Sequence, residues 1–223
     1  GTYFQSVGNY EAAMEEYILN LLNERSYKGI IERKILLMSD EEDAITIIED
    51  KLFKASKLAP NQILNTLSEF YFKQQEYDLS FKTKKEWTDK GNKNFNDWLK
   101  FANDLRNEKQ YQYAMDAYYF VLSYKLNSKL TERALLGLGQ IFDDQIASQK
   151  TTNLIPYFYD NNIFFKDPFQ VYSSISPKHL ESSLNLYDSL LVSLKKPVYL
   201  SQAYYRLGDI HYRILQDFDK AYY

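Results

Sequence analysis

Apolar residues recur at helical spacing along nearly the whole chain, in pairs of stripes separated by short polar breaks. The clearest pair spans residues 98–122, WLKFANDLRNEKQYQYAMDAYYFVL. Trp98, Phe101, Ala102 and Leu105 fall on one face of a first helix. Arg106-Asn107-Glu108-Lys109-Gln110 interrupts the stripe, and Tyr111, Ala114, Ala117, Tyr118, Val121 and Leu122 restore it on a second. Two helices folded back on each other cannot bury both of their apolar sides. The pattern therefore predicts neighbours of the same kind.

The rest of the chain supplies them. In residues 3–22, Gly8-Asn9 makes a turn, because glycine tolerates a left-handed backbone, and Tyr10, Ala13, Tyr17 and Leu21 mark the helix after it. Ile30, Ile31, Ile35 and Leu36 mark the next helix. The acidic run that follows reads as a helix start, with Ser39 or Asp40 as the cap and Glu41, Glu42 and Asp43 facing the positive end of the dipole. Ala44, Ile45, Ile48, Leu52 and Ala55 continue that helix to Pro60. A third pair carries Ile63, Leu64, Leu67, Phe70 and Tyr71, then Tyr77, Ser80, Phe81, Lys84 and Trp87. Asn94 is placed to cap the Trp98 helix. Leu135, Leu138, Gly139 and Phe142 mark a further first helix. Gly139 costs about 1 kcal/mol there relative to alanine, so close approach of a partner helix is expected.

Residues 149–176 break the pattern. They hold Pro156 and Pro168 and seven aromatics, Tyr157, Phe158, Tyr159, Phe164, Phe165, Phe169 and Tyr172. They read as an insertion between the two helices of one pair. The delayed second helix starts with Ser176 as cap and Pro177 in the first position, and runs through Leu180, Leu184, Tyr187 and Leu191. A last pair begins at Pro197, with Tyr204, Leu207, Gly208, His211 and Tyr212 on its first helix. A small residue opens each second helix, at Ala13, Ala44, Ser80, Ala114, Ser183 and Ala221, with gaps of 31, 36, 34, 69 and 38; the 69 contains the insertion.

This spacing resembles the tetratricopeptide repeat, a 34-residue unit written W-x2-L-G-x2-Y, then A-x3-F, then P. Trp98 and Phe101 stand at the Trp and Leu positions, Ala102 replaces the Gly and Leu105 the Tyr. Ala114, Tyr118 and Val121 fall at the small, aromatic and small positions, while Leu126 replaces the closing Pro. The last pair has one extra residue in its turn relative to that unit. The resemblance implies an all-α fold, a single right-handed superhelical solenoid over residues 1–223, with about five whole hairpins, partial ones at either end and repeat material missing beyond both. It also implies a concave face, lined by first helices, that binds a peptide or partner protein. Exposed first-helix positions beside the core stripe are the candidate groove residues: Asn65, Glu69, Asn103, Arg106, Gln140, Arg206 and Asp209. Phe164 and Phe165 of the insertion join them, either as a lid packed across the groove or as an arm that docks on another subunit.

Composition narrows the chemistry. At 45% hydrophobic and 26% charged residues the chain is globular. A net charge of -3 gives no global basic footprint for nucleic acid. No run approaches the roughly 18 apolar residues of a membrane span. The absence of cysteine excludes disulfides, thiolate-bound zinc and thiol nucleophiles. The 21 tyrosines and 14 phenylalanines fit hairpin contacts first and an aromatic-lined groove second. With no cysteine and many Tyr and Asn, the composition leans to the bacterial envelope, the cytoplasm being the alternative.

No catalytic constellation stands out, and no cofactor or metal is expected. His179 reads as solvated, and His211 sits where the repeat has an aromatic ring. Adjacent Asp143 and Asp144 point about 100° apart on a helix, which suits an acid/base pair poorly. Asp160-Asn161-Asn162 starts like a calcium loop but lacks the glycine and the closing acid. Lys82, Lys84, Lys85, Lys90 and Lys93 read as a solvated helix end. A non-enzymatic scaffold is the main expectation. An envelope ligand-binding repeat protein and a non-catalytic segment of a larger enzyme are the alternatives.

Overall fold

The computed structural model describes residues 1–23, 27–124, 126–146, 151–153, 170–172 and 175–222. The chain divides into two compact units, Gly1–Asn94 and Phe95–Tyr223. Both are built of packed helices.

The first unit contains α1 (Thr2–Ser6), α2 (Tyr10–Asn23), α3 (Lys28–Met38), α4 (Glu42–Leu58), α5 (Pro60–Lys73) and α6 (Tyr77–Asp89). α1 folds onto α2 and α5 onto α6, while α3 and α4 each pack against α2 and α5. One continuous core runs through them, from Ala13, Met14 and Tyr17 by way of Ile35, Ile48 and Leu52 to Ile63, Leu67 and Phe70. The second unit contains α7 (Phe95–Asn107), α8 (Tyr111–Ser123), α9 (Ser128–Ile146), α10 (Pro177–Ser193), α11 (Pro197–Asp209) and the short α12 (Phe218–Tyr222). α7 pairs with α8, α9 with α10 and α11 with α12; α9 also touches α7 and α11. Between α9 and α10 lie two three-residue strands, β1 (Thr151–Asn153) and β2 (Gln170–Tyr172), paired antiparallel with Thr151 opposite Tyr172. The Ser176 amide donates to Ile146 O (2.6 Å), which brings the end of α9 to the start of α10.

The register of small residues has a packing cause. Ala13, Ala44, Ser80, Ala114 and Ser183 are all 0% exposed, so each marks a place where two helices approach closely. Where serine stands in for alanine, its hydroxyl has a partner, as a buried donor requires. Ser80 exchanges hydrogen bonds with Ser68, each hydroxyl donating to the other's carbonyl, and the Ser183 hydroxyl donates to Asp143 Oδ1.

Three turns between paired helices close the same way. The amides of Asn9, Glu76 and Gln110 donate back to Phe4 O, Tyr71 O and Leu105 O, and the residue before each amide is left-handed. That residue is Gly8 in the first turn but Gln75 and Lys109 in the others, with φ of 63° and 60°.

Glycines on α9 explain its packing. A Cβ on Gly137 would run into the ring of Tyr118 from α8, and one on Gly139 would lie 2.9 Å from Tyr187 Cζ of α10. Residues two apart on a helix point roughly 200° apart. The two glycines therefore let α9 be clasped by a tyrosine from either side. The close approach expected at Gly139 is present, but Gly137 makes the tighter one.

Several local expectations are corrected. Ser39 does not cap α4; its hydroxyl donates backward to Leu36 O, and Asp40 pairs with Lys73 (2.7 Å). α4 starts one residue after Glu41, with Glu42 and Asp43 in its first turn. Ser176 precedes α10 and Pro177 opens it, but the serine side chain makes no capping bond. Lys84 is not solvated: it is 3% exposed, donates to Asn65 Oδ1 (3.1 Å) and lies over the Trp87 ring. His179 is half-buried rather than solvated. The extra residue of the last pair is absorbed by a π-helical turn, Ile210–Leu215, that continues α11 and ends at left-handed Gln216.

Candidate partner-binding site

The expected groove residues fall into two groups, one in each unit. In the first unit Asn65 and Glu69 lie one turn apart on α5. The Asn65 amide donates to Glu69 Oε1 (3.3 Å), and its oxygen accepts from Lys84. Thr66 beside them is fully buried and donates to Glu32 Oε1 (2.8 Å). Burial raises the Glu32 carboxyl above its ordinary range, against the opposing pull of Thr66 and Lys28. On this helix the polar positions are largely engaged with one another.

The second unit brings Asn103 and Arg106 on α7, Gln140 on α9 and Arg206 on α11 onto three first helices that touch in succession. Asn103 Oδ1 accepts from the buried Tyr118 hydroxyl (2.7 Å), whose own ionisation burial pushes up to about 12. Arg106 Nε donates to Asp144 Oδ2 (2.7 Å), and its Nη1 donates to Gln140 Oε1. Asp143 faces the other way. Its oxygens accept from Ser183 (2.5 Å) and Tyr187 (2.6 Å) of α10. The two aspartates thus take different partners, as their angular separation requires. Burial raises both carboxyls; the Ser183 and Tyr187 hydroxyls oppose the rise in Asp143, and Arg106 opposes it in Asp144. Asp209 is taken up one turn along its own helix, where Arg213 Nε donates to Oδ1 (2.7 Å).

Arg206 differs from its neighbours. Its guanidinium lies 5.9 Å from the Tyr205 ring centre, and no ion pair or hydrogen bond holds it among the described residues. It opens on a pocket of about 430 Å³ walled by Leu136, Gln140, Tyr187, Ser201, Gln202 and Tyr205. A second cavity, of about 600 Å³, lies farther along α11 between Tyr204, His211 and α12.

Pattern alone located the first helices but not the charges that organise them. In the sequence, Asp143 and Asp144, the pivots of the second group, read only as a poor acid/base pair. Asp144 lies 38 residues from Arg106, one hairpin away. That spacing is the signal that could have found it. Phe164, Phe165 and most of residues 149–176 lie outside the described residues.

Comparison with known families finds a match to the family model described as ChAPs (Chs5p-Arf1p-binding proteins) over residues 2–129, more than half of the chain. No curated protein matches it. The match corrects the tetratricopeptide assignment. The positions that carried that resemblance, Trp98, Ala102, Ala114 and Tyr118, are at most 1% exposed. Any close-packed helix hairpin demands large and small residues at such contacts, so the spacing reports packing rather than membership. The matched stretch includes Asn65, Glu69, Asn103 and Arg106, and stops before Gln140, Arg206 and Asp209. It lends no support to a ligand-binding role in the bacterial envelope.

Proposed function

The chain belongs to the ChAPs family, and from that premise we propose that it is a non-catalytic protein-interaction scaffold. Its partners are of the kinds the family description names, Chs5p and Arf1p. The observation that carries the reading is the family match. The second unit adds physical support, since α7, α9 and α11 present a row of polar side chains on packed helices rather than on loops. Such a surface docks a partner without paying to order itself. The row Asn103, Arg106, Gln140 and Arg206 is the contact face in this reading.

The test is binding of the purified chain to purified Chs5p and Arf1p, singly and together, followed by interferometry. Saturable binding to one of them, or to the pair, is expected. Absence of binding to either protein and to the mixture, at low salt as well as at physiological salt, would refute the proposal.

A further inference from the structure

The described arginines of the second unit can be accounted for almost one by one. Arg106 is committed to Asp144 and Gln140. Arg133 donates to Asn96 Oδ1 and Arg213 to Asp209. Arg206 is the exception, half-buried and without an ion pair or hydrogen bond among the described residues. Partly desolvated and touching only the Tyr205 ring, the guanidinium keeps its N–H donors open to an anion.

The walls of its pocket narrow the choice. Gln140 has its oxygen occupied by Arg106, which leaves its NH2 group to donate. Gln202 offers a further amide, and the Tyr205 ring lies against the guanidinium. The hydroxyls of Ser201 and Tyr187 are already given to Val198 O and Asp143 Oδ2. None of the lining residues is a carboxylate. Asp143 and Asp144 stand close enough to feel Arg206 electrostatically. One free guanidinium tempered by that nearby negative charge suits a singly charged group better than a phosphate dianion. A guanidinium fork also matches the planar geometry of a carboxylate.

We propose that the pocket at Arg206 is a subsite for a carboxylate of a partner polypeptide, gripped by the Arg206 guanidinium and oriented by the Gln140 and Gln202 amides. This rests on the protein-binding reading above and names the group that the face recognises. An acidic side chain and a chain terminus carry the same chemistry, and different probes separate them.

Arginine Nε–Hε signals of the 15N-labelled chain are followed during titration with N-acetyl-glutamate N-methylamide, its glutamine counterpart and N-acetylglycine. The Arg206 signal is identified by its loss in Arg206→Gln. The expected result is a saturable shift with a carboxylate probe, at least about five-fold weaker or absent with the glutamine compound. Saturation by the glutamate probe alone assigns an acidic side chain, and saturation by N-acetylglycine alone a chain terminus. No saturable shift up to about 50 mM, or an equal response to the glutamine probe, would overturn the proposal. If Arg206→Gln does not fold, shifts of the wild type confined to the Gln140 and Gln202 amides and α11 support the subsite, and shifts elsewhere refute it. The two readings fail separately. Probe binding without partner binding removes only the scaffold reading. Partner binding without probe binding removes only the subsite.

Discussion

The polar rows on α5 and on α7, α9 and α11 begin from similar sequence and end in different states. On α5, Asn65 bridges Glu69 and Lys84, and Thr66 reaches Glu32. Lys84, almost fully buried, is held by Asn65 and the Trp87 ring. In the second unit Arg106 and Asp144 also pair, but Arg206 is left facing a pocket. The lesson is that exposure predicted from a helical stripe does not identify a contact surface. What distinguishes the two rows is whether their charges are already engaged within the fold.

The largest effect is expected at a glycine of the second unit, set against one of the first. Gly137→Ala forces a methyl into the Tyr118 ring. A loss of about 1–3 kcal/mol is expected, although alanine is the better helix former. Gly29→Ala in α3 meets nothing within 4 Å and should be neutral or stabilise by up to about 1 kcal/mol. Urea denaturation of both variants checks the contrast; equal effects would deny the clasp around α9.

Arg106→Ala comes next. It leaves the half-buried Asp144 without its guanidinium and Gln140 Oε1 without its donor. A loss of about 1–3 kcal/mol is expected by the same measurement. Lys84→Met, by contrast, replaces a buried ammonium with an apolar chain of similar length and should change stability by less than about 1.5 kcal/mol.

The acid pair predicts a pH dependence. Burial raises the Asp143 carboxyl in the folded protein above its unfolded value. Its contribution to stability is therefore greatest below the ordinary aspartate range and falls as pH rises through the raised folded value. Asp143→Asn removes the dependence while keeping an acceptor oxygen for one of the two hydroxyls, Ser183 or Tyr187. The variant should gain on the wild type between pH 4 and pH 7 in parallel denaturation curves. An unchanged difference across that window would show that burial does not control this carboxyl.

The left-handed turn residues make the next smaller change. Gln75→Gly and Lys109→Gly, one in each unit, should each stabilise by up to about 1 kcal/mol, since glycine carries no Cβ penalty there. The smallest effect is expected at exposed pairs within one helix. Lys54→Ala, opposite Asp50 on α4, should cost no more than about 0.5 kcal/mol.

Much of the helical framework was legible because burial of one face imposes a 3.6-residue period. Trp98, Ala102, Leu105, Ala114 and Tyr118 all lie where the stripes place them. The small residues at five of the six second-helix starts were equally readable, since close approach admits little else; Ala221 stays partly exposed. Other features were not. A lysine on an apolar stripe gives no sign that it folds inward, as Lys84 does. Ser39 looks like a forward cap, yet it bonds the helix before it. The Arg106–Asp144 pair spans a whole hairpin, so periodicity within a single helix does not reveal it. Residue type also could not separate Arg106, already paired, from Arg206, which faces the pocket.

In the function proposed above, partners dock on the first helices of the second unit. Backbone amide exchange of the chain, free and saturated with whichever of Chs5p or Arf1p it binds, tests this most directly. Slowed exchange is expected in peptides covering α7, α9 and α11, with the Arg206 segment among the most protected and α5 unchanged. Protection confined to α8, α10 or the first unit, with those three helices unaltered, would contradict it.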